Sequence, residues 1–132
     1  MLDTSVVSRL GIEEVRAVID PLAHAGQLGR AGITDLEVGY GSRNAREWDQ
    51  DMADLSIFEL VETSADHLQR ARQVQRLLAA RSQRGRKVPD LLIAAAAEEA
   101  GLTLLHYDSD FELISRVTGQ TCRWVVPAGT ID

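Results

Sequence analysis

Apolar and polar residues alternate along this chain with two different periods. Six segments carry apolar residues every three to four positions, or an apolar run of helical length, and we predict a helix for each. The predicted helices cover residues 12–25, a segment from residue 34, residues 44–55, residues 63 to about 81, residues 89–100 and residues 111–116. Helices therefore make up most of the regular structure that the sequence predicts.

Two of these helices have a predicted start. Thr34-Asp35-Leu36-Glu37 has the form of a capping box, with Thr at the N-cap and Glu three residues later, so we expect a helix to begin at Thr34. Thr63-Ser64-Ala65-Asp66 has the same form and is expected to open the long helix. The core stripe of that long helix would be Leu68, Ala71, Val74, Leu77 and Leu78.

Short apolar runs between the helices predict strands at residues 27–31, 57–61, 102–107 and 123–126. A further strand at the start of the chain would be very short, because only Met1 and Leu2 precede Asp3. Strands that alternate with helices favour a mostly parallel sheet covered on both faces. We therefore expect an α/β fold, built as one domain over residues 1–132.

The composition is that of an ordinary globular protein, with 45% hydrophobic and 26% charged residues among 132. No apolar run approaches the roughly 20 residues that cross a bilayer, and the first five residues do not resemble a secretion signal. We therefore expect a cytoplasmic protein without a membrane partner. Cys122 is the single cysteine, which excludes an internal disulfide and a multi-cysteine zinc site.

The charge of the chain is unevenly distributed. The net charge is -6, yet seven of the 14 basic residues lie within residues 70–87, a stretch without Asp or Glu. Such a stretch is either a solvated helix face or a track for a phosphate backbone. Its lack of acids favours RNA, and we select Arg81, Arg84 and Arg86 as candidate RNA-binding residues.

Five acidic residues follow predicted strands or begin predicted helices: Asp3, Glu37, Asp90, Asp108 and Asp110. Each has an ordinary explanation as a helix cap. Together, at the carboxyl ends of parallel strands, they would concentrate negative charge that a cation relieves. Carboxylates without His or Cys partners suit Mg²⁺ or Mn²⁺, and such ions commonly serve phosphate chemistry.

The same residues resemble the motifs of the PIN-domain family, in order along the chain. The four motifs are Leu2-Asp3-Thr4-Ser5, Thr34-Asp35-Leu36-Glu37, Val88-Pro89-Asp90-Leu91-Leu92-Ile93-Ala94-Ala95 and Asp108-Ser109-Asp110-Phe111. No single motif is specific, but four in order at suitable spacing are a strong signal, and the short chain is similar to VapC toxins. The resemblance implies a three-layer α/β/α fold and an endoribonuclease that depends on Mg²⁺ or Mn²⁺.

The resemblance also implies roles for individual residues and partners for the whole chain. The catalytic acids would be Asp3, Glu37, Asp90 and Asp108. The metal ligands would be Asp3, Asp90, Asp108 and Asp110, with the hydroxyl of Thr4 or Ser5 beside the substrate. The implied partners are a VapB-like antitoxin, a structured RNA such as tRNA or rRNA, and a second copy of the chain in a homodimer.

Other functions stay open at this point. A non-catalytic, receiver-like regulatory module could hold one Mg²⁺ with the same acids, although the one lysine of the sequence, Lys87, precedes a helix rather than following a late strand. A metal phosphohydrolase acting on small phosphates also fits the composition. His24, His67 and His106 match no metal-ligand spacing and are expected to pack or to lie at the surface, with His106 closest to the acids.

Overall fold

The centre of the fold is a parallel sheet, seen in a computed structural model that describes residues 1–83 and 87–132. Its strands are β1 (Gly29–Ala31), β2 (Glu59–Val61), β3 (Leu104–His106) and β4 (Cys122–Trp124). β1 pairs with β2 and β3 pairs with β4, both in parallel. Leu2 lies between the two pairs and forms parallel bridges to Arg30 and Leu105. The order across the sheet is therefore β2, β1, Leu2, β3, β4.

The middle position of the sheet is held by backbone hydrogen bonds on both sides. The N–H of Leu2 donates to the carbonyl of Gly29 at 2.8 Å, and the N–H of Asp3 donates to the carbonyl of Leu105 at 2.9 Å. In the outer pairs, Gly29 is in register with Glu59 and Leu104 with Cys122. The predicted first strand is thus reduced to one bridging residue, which brings Asp3 to the carboxyl edge of the sheet.

Seven helices are present in the described part of the chain. They are α1 (Thr4–Val7), α2 (Glu13–His24), α3 (Gly32–Tyr40), α4 (Ala45–Leu55), α5 (Ala65–Ala80), α6 (Val88–Glu99) and α7 (Asp110–Thr118). Pro21 lies within α2 without dividing it. None of the helices in residues 1–83 and 87–132 combines the length and the apolar character needed to span a membrane.

Two hydrophobic clusters cover the two faces of the sheet. Met1 and Leu104 pack in the first cluster with residues of α5, α6 and α7, whereas Leu2 and Leu105 pack in the second with residues of α1, α2 and α4. Neighbouring residues of a strand point to opposite faces, so the two clusters lie on opposite sides of the sheet. The predicted three-layer α/β/α fold is confirmed.

The alanine-rich helix α6 is the most buried of the helices. Its residues from Ile93 to Ala97 are all buried, because small side chains let α6 lie close against α5 and the sheet. The predicted burial of this helix is confirmed. Its position is important for the site, since α6 begins beside Asp90 at the carboxyl edge of the sheet.

The predicted start of α3 is wrong. The helix begins at Gly32, with Ala31 at the N-cap, and no side chain caps it. Thr34 and Glu37 therefore lie inside the helix and do not form a capping box. The reason is that β1 passes directly into α3, so Thr34 is buried and Glu37 contacts α1 instead.

The long helix α5 also differs from its prediction in detail. Its N-cap is Ser64, one residue later than predicted, and the reciprocal partner in the capping box is His67. The core stripe contains Ala71, Val74 and Leu78, but Leu68 and Leu77 are 48% and 36% exposed. These two leucines were wrongly placed in the core, since the buried face of α5 begins at His67 rather than Leu68.

Candidate metal centre

A cleft of about 270 Å³ opens where Leu2 and β3 end, and we call it the acid cleft. Its lining residues are Asp3, Thr4, Ser5, Ser8, Arg9, Glu37, Lys87, Asp90, Tyr107 and Asp108. The four acids that the sequence singled out as catalytic all line this one cleft. They come from four separate parts of the chain, which the parallel sheet brings to a common edge.

Asp3 occupies the base of the acid cleft. It is the N-cap of α1, and its Oδ2 accepts a hydrogen bond of 2.9 Å from the N–H of Ser5. The residue is only 2% exposed, and its Oδ1 has no hydrogen-bond partner among the described residues. Burial raises the pKa of Asp3, and the nearby negative charge of Glu37 adds to this effect.

Asp90 lies in the first turn of α6 and is 4% exposed. Its Oδ2 is buried and, within residues 1–83 and 87–132, accepts no hydrogen bond. Burial, followed by the charge of Asp3, raises the pKa of Asp90 to about 7. An unpaired oxygen on a buried carboxyl group is costly unless a cation or a proton compensates it.

Asp108 follows β3 and has hydrogen bonds to both of its carboxylate oxygens. Oδ1 accepts from the N–H of Asp110, and Oδ2 accepts from the ammonium group of Lys87, both at 3.0 Å. Burial alone would raise the pKa of Asp108. The two hydrogen bonds and the charge of Lys87 outweigh burial, so the pKa is lowered and the carboxylate stays ionised.

Glu37 and Asp110 complete the acidic group. Glu37 projects from α3, and its Oε1 accepts a hydrogen bond of 2.6 Å from the hydroxyl of Thr4, which also lies 3.3 Å from the hydroxyl of Thr34. Asp110 begins α7 outside the lining of the acid cleft. Asp90, Asp108 and Asp110 nevertheless offer carboxylate oxygens that all lie within 4.8 Å of one another.

These donors fit a hard divalent cation. Three carboxylates can reach a common point, and two of the buried oxygens, Asp3 Oδ1 and Asp90 Oδ2, have no other partner in the described part of the chain. Oxygen donors of this kind suit Mg²⁺ or Mn²⁺ better than zinc, which prefers histidine and cysteine. Of the four predicted metal ligands, Asp90, Asp108 and Asp110 form this group, whereas Asp3 lines the acid cleft outside it.

His106 supports the acid cleft from within the core. It is almost fully buried, and its ring lies 5.1 Å from the ring of Phe111 and 5.0 Å from that of Trp124. Its Nδ1 accepts a hydrogen bond of 3.2 Å from the N–H of Asp108. Burial lowers the pKa of His106 to about 4, so the ring is neutral near pH 7, and it contacts the Asp108 backbone without lining the acid cleft.

The two predicted hydroxyl residues have different contacts. The hydroxyl of Thr4 donates to Glu37, as described above. The hydroxyl of Ser5 accepts a hydrogen bond of 2.9 Å from the N–H of Tyr107 and so joins α1 to the end of β3. Thr4 is therefore coupled to an acid, whereas Ser5 links two backbone segments.

Two basic residues of the acid cleft were missed by the sequence prediction. Lys87 contacts Asp108, and Arg9 lines the opposite part of the cleft near Tyr107. Arg9 follows α1 and lies four residues after Ser5, whose carbonyl it contacts, and this short spacing was the available signal. For Lys87 the signal was its position three residues before Asp90, at the start of the same helix.

The predicted RNA track is only partly described. Arg81 is the C-cap of α5 and is exposed, but it does not line the acid cleft. Arg84 and Arg86 lie outside the described residues. Arg70, at the far end of the basic stretch, forms an ion pair of 2.7 Å with Glu98.

Comparisons with known proteins all indicate the same family. The family model described as PIN domain matches residues 1–117. Ribonuclease VapC51 of Mycobacterium tuberculosis is 63% identical over 132 residues, which cover 100% of this chain and 96% of that protein. Ribonuclease VapC21 of the same species is 40% identical over 136 residues, covering 98% of this chain and 96% of that protein.

Solved structures show the same fold at lower identity. The DNA-bound VapBC of Salmonella typhimurium matches with a TM-score of 0.75 and 19% identity, covering 96% of this chain and 97% of that chain. FitAcB of Neisseria gonorrhoeae matches with a TM-score of 0.73 and 21% identity, covering 94% and 96%. On the family match and the identity to VapC proteins, this chain belongs to the PIN-domain family and, within it, to the VapC group.

Proposed function

We propose that this protein is a metal-dependent endoribonuclease and the toxin of a toxin-antitoxin pair. The observation that carries the proposal is the acid cleft, where four acids from separate segments meet and two buried carboxylate oxygens have no partner among the described residues. Proteins with similar sequences carry the name ribonuclease. A divalent ion bound in this cleft would supply the activated water that such an activity uses.

In this mechanism Asp3, Asp90, Asp108 and Asp110 would hold the metal. A bound Mg²⁺ or Mn²⁺ would lower the pKa of a water molecule and offset the charge that builds on the phosphate oxygens. Thr4 fixes one oxygen of Glu37, and we assign to the other oxygen the acceptance of a proton from the attacking water. The water oxygen bonds to phosphorus, the bond to the leaving oxygen breaks, and that oxygen takes a proton from a solvent water molecule.

We propose RNA as the substrate, in the structured form of tRNA or rRNA. The names of the similar proteins support an RNA substrate. The acid-free basic stretch that ends at Lys87 supports contact with a phosphate backbone, because Lys87 reaches the acid cleft. A backbone held along that stretch would pass close to the metal ligands.

We further propose an antitoxin partner and pairing of two copies of this chain. The similar solved structures include a complex of VapBC type. Leu36, Tyr40 and Trp48 on α3 and α4 are large, apolar and exposed, and such surfaces commonly mark contact faces. An antitoxin that delivers a basic side chain to the acid cleft would displace the metal and stop cleavage.

The test is incubation of the purified protein with total RNA. We expect cleavage with Mg²⁺ or Mn²⁺, loss of cleavage with EDTA, and no cleavage by the Asp90→Asn variant, which keeps the size of the side chain but loses its charge. Metal binding without any cleavage would instead favour a regulatory module. In cells, we expect growth arrest on expression and relief on co-expression of the protein encoded immediately upstream.

A further inference from the structure

Arg9 lies at the rim of the acid cleft, and its guanidinium contacts several residues. Its Nη1 donates to the carbonyl of Ser5 at 2.7 Å. Its Cζ lies 4.9 Å from the centre of the Tyr107 ring, the range of a cation–π contact. Its Nε and Nη2 both face Asp132, at 2.6 and 2.5 Å from Oδ2. The plane of the guanidinium is thus fixed, and two of its N–H groups point at one carboxylate.

Tyr107 holds the segment that carries this carboxylate. Its hydroxyl accepts a hydrogen bond of 2.9 Å from the N–H of Gly129 and donates one of 3.0 Å to the carbonyl of Ile131. Ile131 also packs against the second hydrophobic cluster. Residues 129–132 are therefore fastened beside the acid cleft, so Asp132 is placed at Arg9 by several contacts and not by charge alone.

We infer that Arg9 is a phosphate-binding residue of the acid cleft. Asp132 forms an ion pair with the Arg9 guanidinium until an RNA phosphate replaces Asp132. This inference rests on the proposed ribonuclease function. Once Asp132 is displaced, the Nε–H and Nη2–H groups of Arg9 can bind a phosphate oxygen in the way they now bind the carboxylate oxygen of Asp132. The phosphate and Asp132 therefore compete for the same two donors.

The position of the pair makes this exchange possible. The side chains of Arg9 and Asp132 are 26% and 43% exposed, so water screens their attraction and the ion pair is weak. Arg9 shares the cleft with Asp3, Asp90 and Asp108, where the phosphate to be cleaved would lie. The neighbouring phosphate of the same RNA strand would then lie next to Arg9.

The inference is tested by RNA binding in the Asp90→Asn background, so that the RNA is not cut. The probe is fluorescein-labelled bulk tRNA with Mg²⁺, measured by anisotropy across a salt series. Adding Arg9→Ala should weaken binding about tenfold and reduce the salt slope by about 0.7 to 0.9, as expected for one lost phosphate contact. Asp132→Asn should tighten binding about threefold, because a weak competing ion pair is removed.

Matched variants make the result specific. Arg16→Ala removes the same charge from an exposed position on α2 that does not line the acid cleft, so it should leave binding unchanged. Tyr107→Phe keeps the ring under Arg9 but removes the hydroxyl that fastens the segment, so it should act like Asp132→Asn. Arg9→Ala combined with Asp132→Asn should bind as weakly as Arg9→Ala alone, because Asp132 acts only through Arg9.

The outcomes separate this inference from the function on which it rests. If the unchanged protein cuts RNA and the Asp90→Asn variant binds it, but adding Arg9→Ala changes binding no more than adding Arg16→Ala does, the inference is overturned and the ribonuclease function stands. If Asp132→Asn weakens binding as much as Arg9→Ala, Asp132 positions Arg9 and does not mask it, which also overturns the inference. If the unchanged protein neither binds nor cuts RNA, the inference about Arg9 and the proposed ribonuclease function are both overturned. Thermal unfolding of each variant shows whether the chain is still folded.

Discussion

Lys87 donates a hydrogen bond of 3.0 Å to Asp108, so the chain supplies its own cation to the acids of the cleft. This hydrogen bond raises the pKa of Lys87, and the charges of Asp108, Asp90 and Asp110 act in the same direction. A divalent ion held by these acids would lie close to the positive charge of Lys87, which already contacts the ligand Asp108. Lys87 and the metal are therefore expected to oppose each other.

Replacing Lys87 with Met should increase the affinity of the protein for Mn²⁺ by about two- to fivefold, a modest factor because the Lys87 side chain is largely exposed. Lys87→Arg, which keeps the charge, should bind Mn²⁺ as the unchanged protein does. Isothermal titration without RNA measures both. Weaker Mn²⁺ binding by Lys87→Met would show that Lys87 helps to arrange the ligands.

The hydrogen bond from Thr4 to Glu37 gives a second prediction. Thr4→Val keeps the shape of the side chain but removes the hydroxyl, which frees Glu37 Oε1 from its 2.6 Å contact. We expect kcat for RNA cleavage to fall by roughly tenfold or more, because a proton acceptor must be held in position. Thr4→Ser restores the hydroxyl and should restore most of the rate. Equal rates for Thr4→Val and Thr4→Ser would remove Thr4 from the mechanism.

Asp90 predicts how the stability of the metal-free protein depends on pH. Its pKa is raised in the folded protein from 3.8 to about 7, so the folded state binds its proton more tightly than the unfolded state does. The resulting stability is fully present below pH 3.8 and is lost as the pH rises through about 7. The raised pKa of Asp3 acts in the same direction.

Asp90→Asn removes the part of this pH dependence that Asp90 contributes. We expect the Tm of the variant in EDTA to match that of the unchanged protein near pH 4 and to exceed it by roughly 5 °C at pH 8. Mn²⁺ should raise the Tm of the unchanged protein far more than that of Asp90→Asn, since binding to the folded state stabilises it. A constant Tm difference across the pH range would mean that Asp90 is not desolvated as the structure indicates.

The fold and the acids were predictable because their signals are local. The run Leu91 to Ala97 is apolar on all sides, and only a buried helix or strand accommodates such a run, so α6 was recognised with its burial. Asp3, Asp90 and Asp108 each stand directly at the end of a strand or the start of a helix. In a parallel sheet those positions share one edge, whichever strands are neighbours.

The details that failed depend on tertiary contacts. Thr34 and Glu37 match a capping box in sequence, but the direct passage of β1 into α3 moves the start of the helix to Gly32. The exposure of Leu68 follows from which face of α5 meets α6, and periodicity alone does not fix that rotation to within one residue. Arg9 and Asp132 are 123 residues apart, and no local pattern joins them.

The basic stretch provides the last prediction, which concerns the proposed RNA track and not the metal centre. Changing Arg81, Arg84 and Arg86 together to Ala should lower the slope of log affinity against log salt by about 2, because each lost contact with a single-stranded phosphate removes about 0.7. Cleavage at saturating RNA should change little, since Arg81 does not line the acid cleft. The matched control is Arg16, Arg46 and Arg116 changed together to Ala, which removes the same charge from exposed positions elsewhere. If both triple variants lower the slope equally, RNA responds to the overall charge of the protein, and the stretch before α6 is a solvated surface.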